Sequence, residues 1–361
     1  MTSLAALAFA FLSTVQSGEL RPEWKEQKLF HGDPVRYLVV RNPAPEGAKL
    51  RPVLCLPTAG AESALEAAAV LVARAAGPAT LVVVPAVLDT AHRCAVYAVD
   101  DEVKSGTVDA RQRSLIVAEG AGAERALACL AWEPDMFAGA LLLAPPVLSP
   151  SELDSFSEAT AAPLSIVRGR QDDNAGCLAL LEQRLEQGAE TQLDFASTCE
   201  HASIACNEGY LGRRLGAFLA AEERRSAAET AIRAVLERFH GAAAKADGKE
   251  YFACLAPDAI FIGTDASERW TVPQFRAFCE PYFSKGKGWT YTASERHVYL
   301  APDLRTAWFD ERLDNESYGK VRGSGVLRLD GERWRITQYV LSIPVPNELA
   351  KDLVQRIRER R

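Results

Sequence analysis

Three absences narrow the reading of this 361-residue chain. No apolar run approaches the roughly 20 residues that a membrane-spanning helix needs, and the one at the start, Leu4 to Leu12, is far too short. Positive charge is not in excess: 41 Lys and Arg stand against 48 Asp and Glu, a net charge of -7. That argues against a nucleic-acid partner, which would favour a concentrated basic face. The basic end, with Arg356, Arg358, Arg360 and Arg361, reads as a solvated helix terminus whose cations complement the macrodipole. Finally, there is no H-E-x-x-H, no P-loop and no dinucleotide fingerprint, so nothing implies a metal or any cofactor. Internal repeats and low-complexity tracts are missing too.

What is present is an ordinary globular composition, 48% hydrophobic and 25% charged. The length exceeds what one core usually serves, so two domains are expected. The apolar run Leu4 to Leu12 followed by Val15-Gln16-Ser17 reads as a signal peptide over 1–17, cleaved before Gly18, although its first residues carry no Lys or Arg. The mature chain is then expected to be periplasmic or secreted, with no stable membrane span. The alternative is an uncleaved apolar helix packed on the first domain. Among eight cysteines, Cys55 sits in a strand-like run and Cys129, Cys254 and Cys279 fall in helical patterns, as small buried hydrophobes do. Cys199, Cys206 and Cys177 permit a disulfide if the protein is exported. A Cys199/His201/Cys206 metal site lacks a fourth ligand at a recognisable spacing.

From Arg36 to about Ala221, continuous apolar strands alternate with helical stretches such as Leu178 to Glu186. Tyr37 to Val40, Val53 to Leu56, Leu81 to Val84, Ser114 to Val117, Gly139 to Leu143, Leu164 to Val167 and Gln192 to Phe195 are the strands. Apolar on both faces, they predict a parallel sheet covered by helices, an α/β doubly wound layer over 18–225. Ser114 to Gly122 reads as a buried strand entering a tight turn, with a helix from Ala123 to Trp132. That is the context of the G-x-S-x-G nucleophile elbow, yet its centre is Gly120, which has no side chain to attack a carbonyl.

At Ser226-Ala227-Ala228-Glu229 a capping-box pattern predicts a new helix, with Ile232, Val235, Leu236 and Phe239 along one face. A short helix (Lys249 to Leu255), a strand (Ala259 to Gly263) and a helix opened by Thr271-Val272-Pro273-Gln274 follow. Then come four strand-like runs: Thr290 to Leu300, Arg305 to Leu313, Lys320 to Leu329 and Arg333 to Ile343. Helices followed by antiparallel strands predict an α+β second domain over 226–361, a curved sheet wrapping a helix. A last helix at Asn347 carries Leu349, Leu353 and Ile357.

The first domain resembles the α/β-hydrolase fold in the order of its landmarks: the elbow at Gly120, then Asp172 in Ile166-Val167-Arg168-Gly169-Arg170-Gln171-Asp172, then His201. The resemblance implies Asp172 and His201 as the acid and base of a triad, with Leu56-Pro57-Thr58-Ala59-Gly60 where the oxyanion loop would lie. A triad needs a nucleophile as well. Ser63, Ser114, Ser165 and Ser203 all lie off the elbow. The domain therefore reads as hydrolase-like without its nucleophile.

The second domain resembles the SnoaL-like branch of the nuclear-transport-factor-two-like superfamily. The residues that carry this run from Phe261-Ile262-Gly263-Thr264-Asp265 and Glu268-Arg269-Trp270 through Gly286 to Tyr291, Arg296 to Tyr299 and Ala307 to Glu311. They continue through Gly319, Arg322 to Leu327 and Trp334 to Tyr339, ending at Pro346-Asn347. The resemblance implies a cone-shaped domain with a pocket, a fold that serves enzymes and binders alike. Use of the sheet as a homodimer interface is a further implication.

Period two places Ala307, Phe309, Glu311 and Leu313 on one face and Trp308, Asp310 and Arg312 on the other. A carboxylate on an apolar face singles out Glu311 as the pocket acid. Arg322 or Arg296 is its expected partner, in a salt bridge or around a ligand anion, and His297 falls on the opposite face from Arg296. Asp265, Trp270, Trp289, Trp308 and Tyr339 complete the expected ligand-binding set. The resulting expectation is an exported two-domain protein that binds a small molecule or a partner. Lyase, isomerase or cyclase chemistry with Glu311, Asp265 or Asp310 is one alternative, and an esterase or peptidase with an unconventional nucleophile is another.

Overall fold

The computed structural model describes residues 20–27, 34–58, 61–86, 92–108, 112–146, 162–172, 191–195, 200–205 and 208–359. The expected signal peptide, Ala59, Gly60, the stretch Leu178 to Glu186, and Cys177, Cys199 and Cys206 lie outside the described residues. The chain divides into two compact units, Met1–Glu223 and Arg224–Arg361.

In the first unit, β1 (Pro22–Gln27), β2 (Val35–Arg41), β3 (Arg51–Leu56), β4 (Thr80–Pro85), β5 (Ser114–Glu119), β6 (Phe137–Leu143), β7 (Leu164–Arg168) and β8 (Thr191–Phe195) form one sheet. Their order is β1-β2-β4-β3-β5-β6-β7-β8. β2 runs antiparallel to β1 and β4, while β4, β3, β5, β6, β7 and β8 are mutually parallel. This is the arrangement of the α/β-hydrolase fold. Alternation along the strands supplies two cores. Val53, Cys55, Val82, Val84, Leu115 and Val117 pack with α1 (Glu62–Ala76). Leu54, Leu56, Leu81, Val83, Ile116 and Ala118 pack against α2 (His92–Lys104) and α3 (Gly122–Trp132). Every residue of β4, β5 and β6 is buried, which is why these strands read as unbroken apolar runs. β1, Pro-Glu-Trp-Lys-Glu-Gln, has no such pattern because it is an edge strand.

The helix expected to open at Ser226 does not start there. α4 runs unbroken over Glu208–Ala244. Glu229 makes i,i+4 pairs with Arg233 at 2.8 Å and Arg225 at 3.4 Å instead of closing a cap. Ala, Glu and Arg, strong helix formers, dominate the segment, and nothing in it breaks the helix.

The second unit contains α5 (Gly248–Ala253), β9 (Leu255–Ile262), β10 (Arg269–Thr271), α6 (Val272–Phe283), β11 (Thr292–Leu300), β12 (Thr306–Asn315), β13 (Gly319–Asp330), β14 (Arg333–Ser342) and α7 (Asn347–Glu359). The sheet order is β10-β9-β14-β13-β12-β11, antiparallel except between β14 and β9. Register shifts in β11, β13 and β14 bend the sheet. Its inner face, with Ala307, Phe309, Leu313 and Ile336, shares a core with Ile232, Leu236 and Phe239 of α4. α6 begins as its sequence requires: the Thr271 amide donates to Gln274 Oε1 at 2.9 Å, with Pro273 in the first turn. α7 leaves Leu349, Leu353 and Ile357 exposed. No described helix is long and apolar enough to cross a membrane.

Candidate functional site

The second unit encloses a cavity of about 270 Å³. Its walls are rings. Phe261 stacks on Phe275 at 3.9 Å, and Trp270 stacks on Phe278 at 4.8 Å. Thr264 and Tyr318, both exposed, mark the mouth, while the buried His240 and Tyr339 form the floor.

Behind that floor lies Glu311, 1% exposed. Cross-strand register builds its surroundings: Arg296 of β11 stands opposite Glu311 of β12, and Gly323 of β13 stands opposite it on the other side. Arg296 Nε donates to Glu311 Oε2 at 2.8 Å, and Tyr339 Oη of β14 donates to Oε1 at 3.1 Å. His240 Nε2, delivered by α4, lies 2.7 Å from Oε1. A Cβ on residue 323 would fall 2.5 Å from Tyr339 Oη and 2.8 Å from Glu311 Oε1, so only glycine leaves room for the cluster.

Burial pushes the Glu311 carboxyl up, but the hydrogen bond and charge of His240, then the Arg296 guanidinium, outweigh it and hold the group below its ordinary 4.5. Tyr339 is driven well above its ordinary value, by burial first and then by the Glu311 charge. The phenol therefore stays protonated and donates. A carboxylate only accepts, so the imidazole places its hydrogen on Nε2.

In the first unit, β5, β7 and β8 run parallel, so their C-terminal ends lie at the same edge of the sheet. β5 turns sharply into α3 through Gly120, whose φ is +53°. The turn is tight because a Cβ on Gly122 would lie 2.1 Å from the Leu56 carbonyl oxygen. A Cβ on Gly120 would lie 2.9 Å from Thr58 Oγ1, and that hydroxyl faces the Glu119 carbonyl oxygen at 3.4 Å. Asp172 Oδ1 and His201 Nδ1 are paired at 2.7 Å. Asp172 Oδ2 accepts the amides of Gly169 at 2.5 Å and Ala202 at 2.8 Å. The buried Glu119 carboxylate accepts the Ile204 amide at 2.9 Å, tying the histidine loop to the turn. Burial raises the pKa of Glu119, with that amide opposing it. Ser114 and Ser165 are buried within strands, away from the turn.

Residues 232–346 match the family model of the SnoaL-like domain. The second unit carries a SnoaL-like domain. Among solved structures, an NTF2-like protein of unknown function from Pseudomonas putida is 19% identical, covers 34% of this chain and 91% of its own, and has a TM-score of 0.30. An esterase from the fungus Rhizomucor miehei is 14% identical over 62% of this chain and 91% of its own, with a TM-score of 0.46. An acylaminoacyl peptidase is 11% identical over 60% of this chain and 43% of its own, with a TM-score of 0.44. No curated protein matches the chain.

In the SnoaL-like domain the expected residues divide. Glu311 faces inward, Arg296 pairs with it, and Trp270, Trp289 and Tyr339 line the cavity. Arg322 does not join them: it is exposed and stands opposite Arg312 on the outer face, because its neighbours Val321 and Gly323 take the inner one. Trp308 also faces out, 47% exposed, stacked on Tyr299 across β11 and β12. Asp265 is exposed and bonded to Ser267 in the turn before β10, so Glu268 is the carboxylate that reaches the cavity. Asp310 lies on the outer face, opposite the half-exposed His297. His240 was missed. Its signal was available, a polar residue four positions after Leu236 on the apolar stripe of α4. Among the described residues no three His, Cys, Asp or Glu side chains converge as a metal site.

Proposed function

We propose that the SnoaL-like domain binds a small, flat molecule in its aromatic cavity and that His240 exchanges a proton with it. One observation carries the reading: a histidine in the floor of a ring-lined cavity, oriented from behind by a buried carboxylate. The Glu311 carboxylate fixes the tautomer and orientation of the imidazole, as a general acid–base group requires. Where the bound molecule has an acidic C–H or a leaving group, this supports isomerase or lyase chemistry. Tyr339 stays protonated and is a positioning donor to Glu311.

The test is a calorimetric screen of two-ring aromatic compounds against the whole chain. A hit is expected to lose about tenfold in affinity in His240→Ala, the loss of one buried hydrogen bond. A hit indifferent to both His240→Ala and Trp270→Ala binds elsewhere and sinks the assignment.

For the first unit we propose a non-hydrolytic role. The support is Gly120 at the turn, beside an Asp172–His201 pair that keeps its bond. An active-site serine probe is expected to leave the protein unlabelled. Labelling of a serine in this unit, lost in His201→Ala, would favour the esterase reading instead. The apolar run Leu4 to Leu12 and Val15-Gln16-Ser17 support export, with a mature chain beginning near Gly18. Intact Met1 on protein from its native host would overturn that. A homodimer formed through the SnoaL-like domain is the remaining proposal, and sedimentation of the full chain decides it.

A further inference from the structure

We infer that the cavity of the SnoaL-like domain takes a planar heteroaromatic cation, in preference to a neutral or anionic molecule of the same shape. This rests on the binding reading above and adds the charge of the ligand to it.

The lining is electrostatically one-sided. Eleven of its seventeen described residues are Phe, Tyr or Trp, whose ring faces are electron-rich. No Lys or Arg is among the described lining residues, and the carboxylate among them is Glu268. Glu268 is held in place: the Asp265 amide donates to its Oε2 at 3.1 Å, and a Cβ on Gly263 would lie 2.2 Å from that same oxygen. Glycine at 263 thus lets the carboxylate fold over the end of β9. Its charge is felt at the rings. Ionisation of the Tyr291 hydroxyl is disfavoured by burial first, then by Tyr318 and by Glu268. Deeper in, the Glu311 charge is already matched by Arg296, whose guanidinium therefore offers nothing to an anionic ligand.

For an anion, entry means losing hydration with no Lys or Arg among the described lining residues to replace it, which is costly. A planar cation instead gains ring faces such as those of Trp270 and Trp289 together with the Glu268 carboxylate, and desolvated cation–π contacts are the strong ones. The cavity, about 270 Å³, lies at the small end of ligand pockets, so a two-ring molecule is the appropriate probe.

Three near-isosteric probes test this by titration calorimetry on the full chain at pH 8: N-methylquinolinium (cation), quinoline (neutral) and 1-naphthoate (anion). N-methylquinolinium is expected to bind about tenfold tighter than quinoline, and 1-naphthoate more weakly than either. Glu268→Gln should remove most of the cation's advantage while changing quinoline affinity less than about twofold, since the amide keeps the acceptor facing Asp265. Trp270→Leu, which deletes a ring face without changing charge, should weaken the cation more than quinoline. Binding of 1-naphthoate as tight as quinoline overturns the inference and leaves the binding reading standing. So does a cation preference that survives Glu268→Gln unchanged. Failure of all three probes to bind overturns both.

Discussion

Among the described residues, two histidine–carboxylate pairs share one length, 2.7 Å, in opposite settings. In the first unit the His201 side chain is 63% exposed, and Asp172 is satisfied chiefly by backbone amides. In the SnoaL-like domain the His240 and Glu311 side chains are 10% and 0% exposed, and every other partner of Glu311 is a side chain. Bond length is thus uninformative about strength. What differs is the alternative open to each group when its partner is removed. Water replaces His201 at once, whereas nothing replaces Arg296 or His240 behind a wall of rings.

That contrast orders the effects of substitution. The largest is expected for Arg296→Ala, which strands the Glu311 carboxylate. Stability of the SnoaL-like domain should fall by about 3–5 kcal/mol, read by urea unfolding through the fluorescence of its tryptophans. A loss under about 1 kcal/mol would mean that water reaches Glu311, and the contrast between the pairs would collapse. Glu311→Gln keeps the shape and weakens three charge-assisted bonds, with an expected cost of about 1.5–3 kcal/mol. The same variant reads the pH dependence. Glu311 is depressed on folding, so its contribution is complete above its ordinary 4.5 and is lost as pH falls through the lower folded value. The wild-type melting temperature should therefore converge on that of Glu311→Gln as the solution is acidified below pH 4.5. Parallel curves would place the origin of the shift elsewhere.

The first unit supplies the small effects. Asp172→Ala strips two backbone amides of their acceptor and should cost about 1–2 kcal/mol. His201→Ala removes only the exposed partner and should change stability by less than about 0.5 kcal/mol. A larger loss there would show that the second pair, too, is structural.

Much of this was legible in the sequence, for reasons that differ by element. β4, β5 and β6 announce themselves because both faces are buried, and Glu311 because period two on β12 puts a charge among Ala307, Phe309 and Leu313. Arg296 follows from its position directly opposite. The inward face of His240 is legible on the α4 stripe, but its contact with Glu311, 71 residues away, is a property of the fold alone. Arg322 was placed wrongly because a residue's face depends on strand register, and alternation with Val321 and Gly323 turns it outward. The Ser226 signal misled because Ser-x-x-Glu describes a cap and a mid-helix ion pair equally well; Glu229 serves the second purpose. β1 was hidden because an edge strand needs no apolar pattern.

The neighbourhood of Gly120 carries a consequence for substitution. With φ at +53° and the Thr58 hydroxyl 2.9 Å from where its Cβ would stand, position 120 is guarded by two independent obstacles. One is conformational and bears on any side chain. The other belongs to a single residue on a different loop. A serine arriving at 120 must push Thr58 off the Glu119 carbonyl, so its acceptance depends on what residue 58 has become. Positions 58 and 120 are thus sterically coupled, and a side chain at one has to be judged together with the residue at the other.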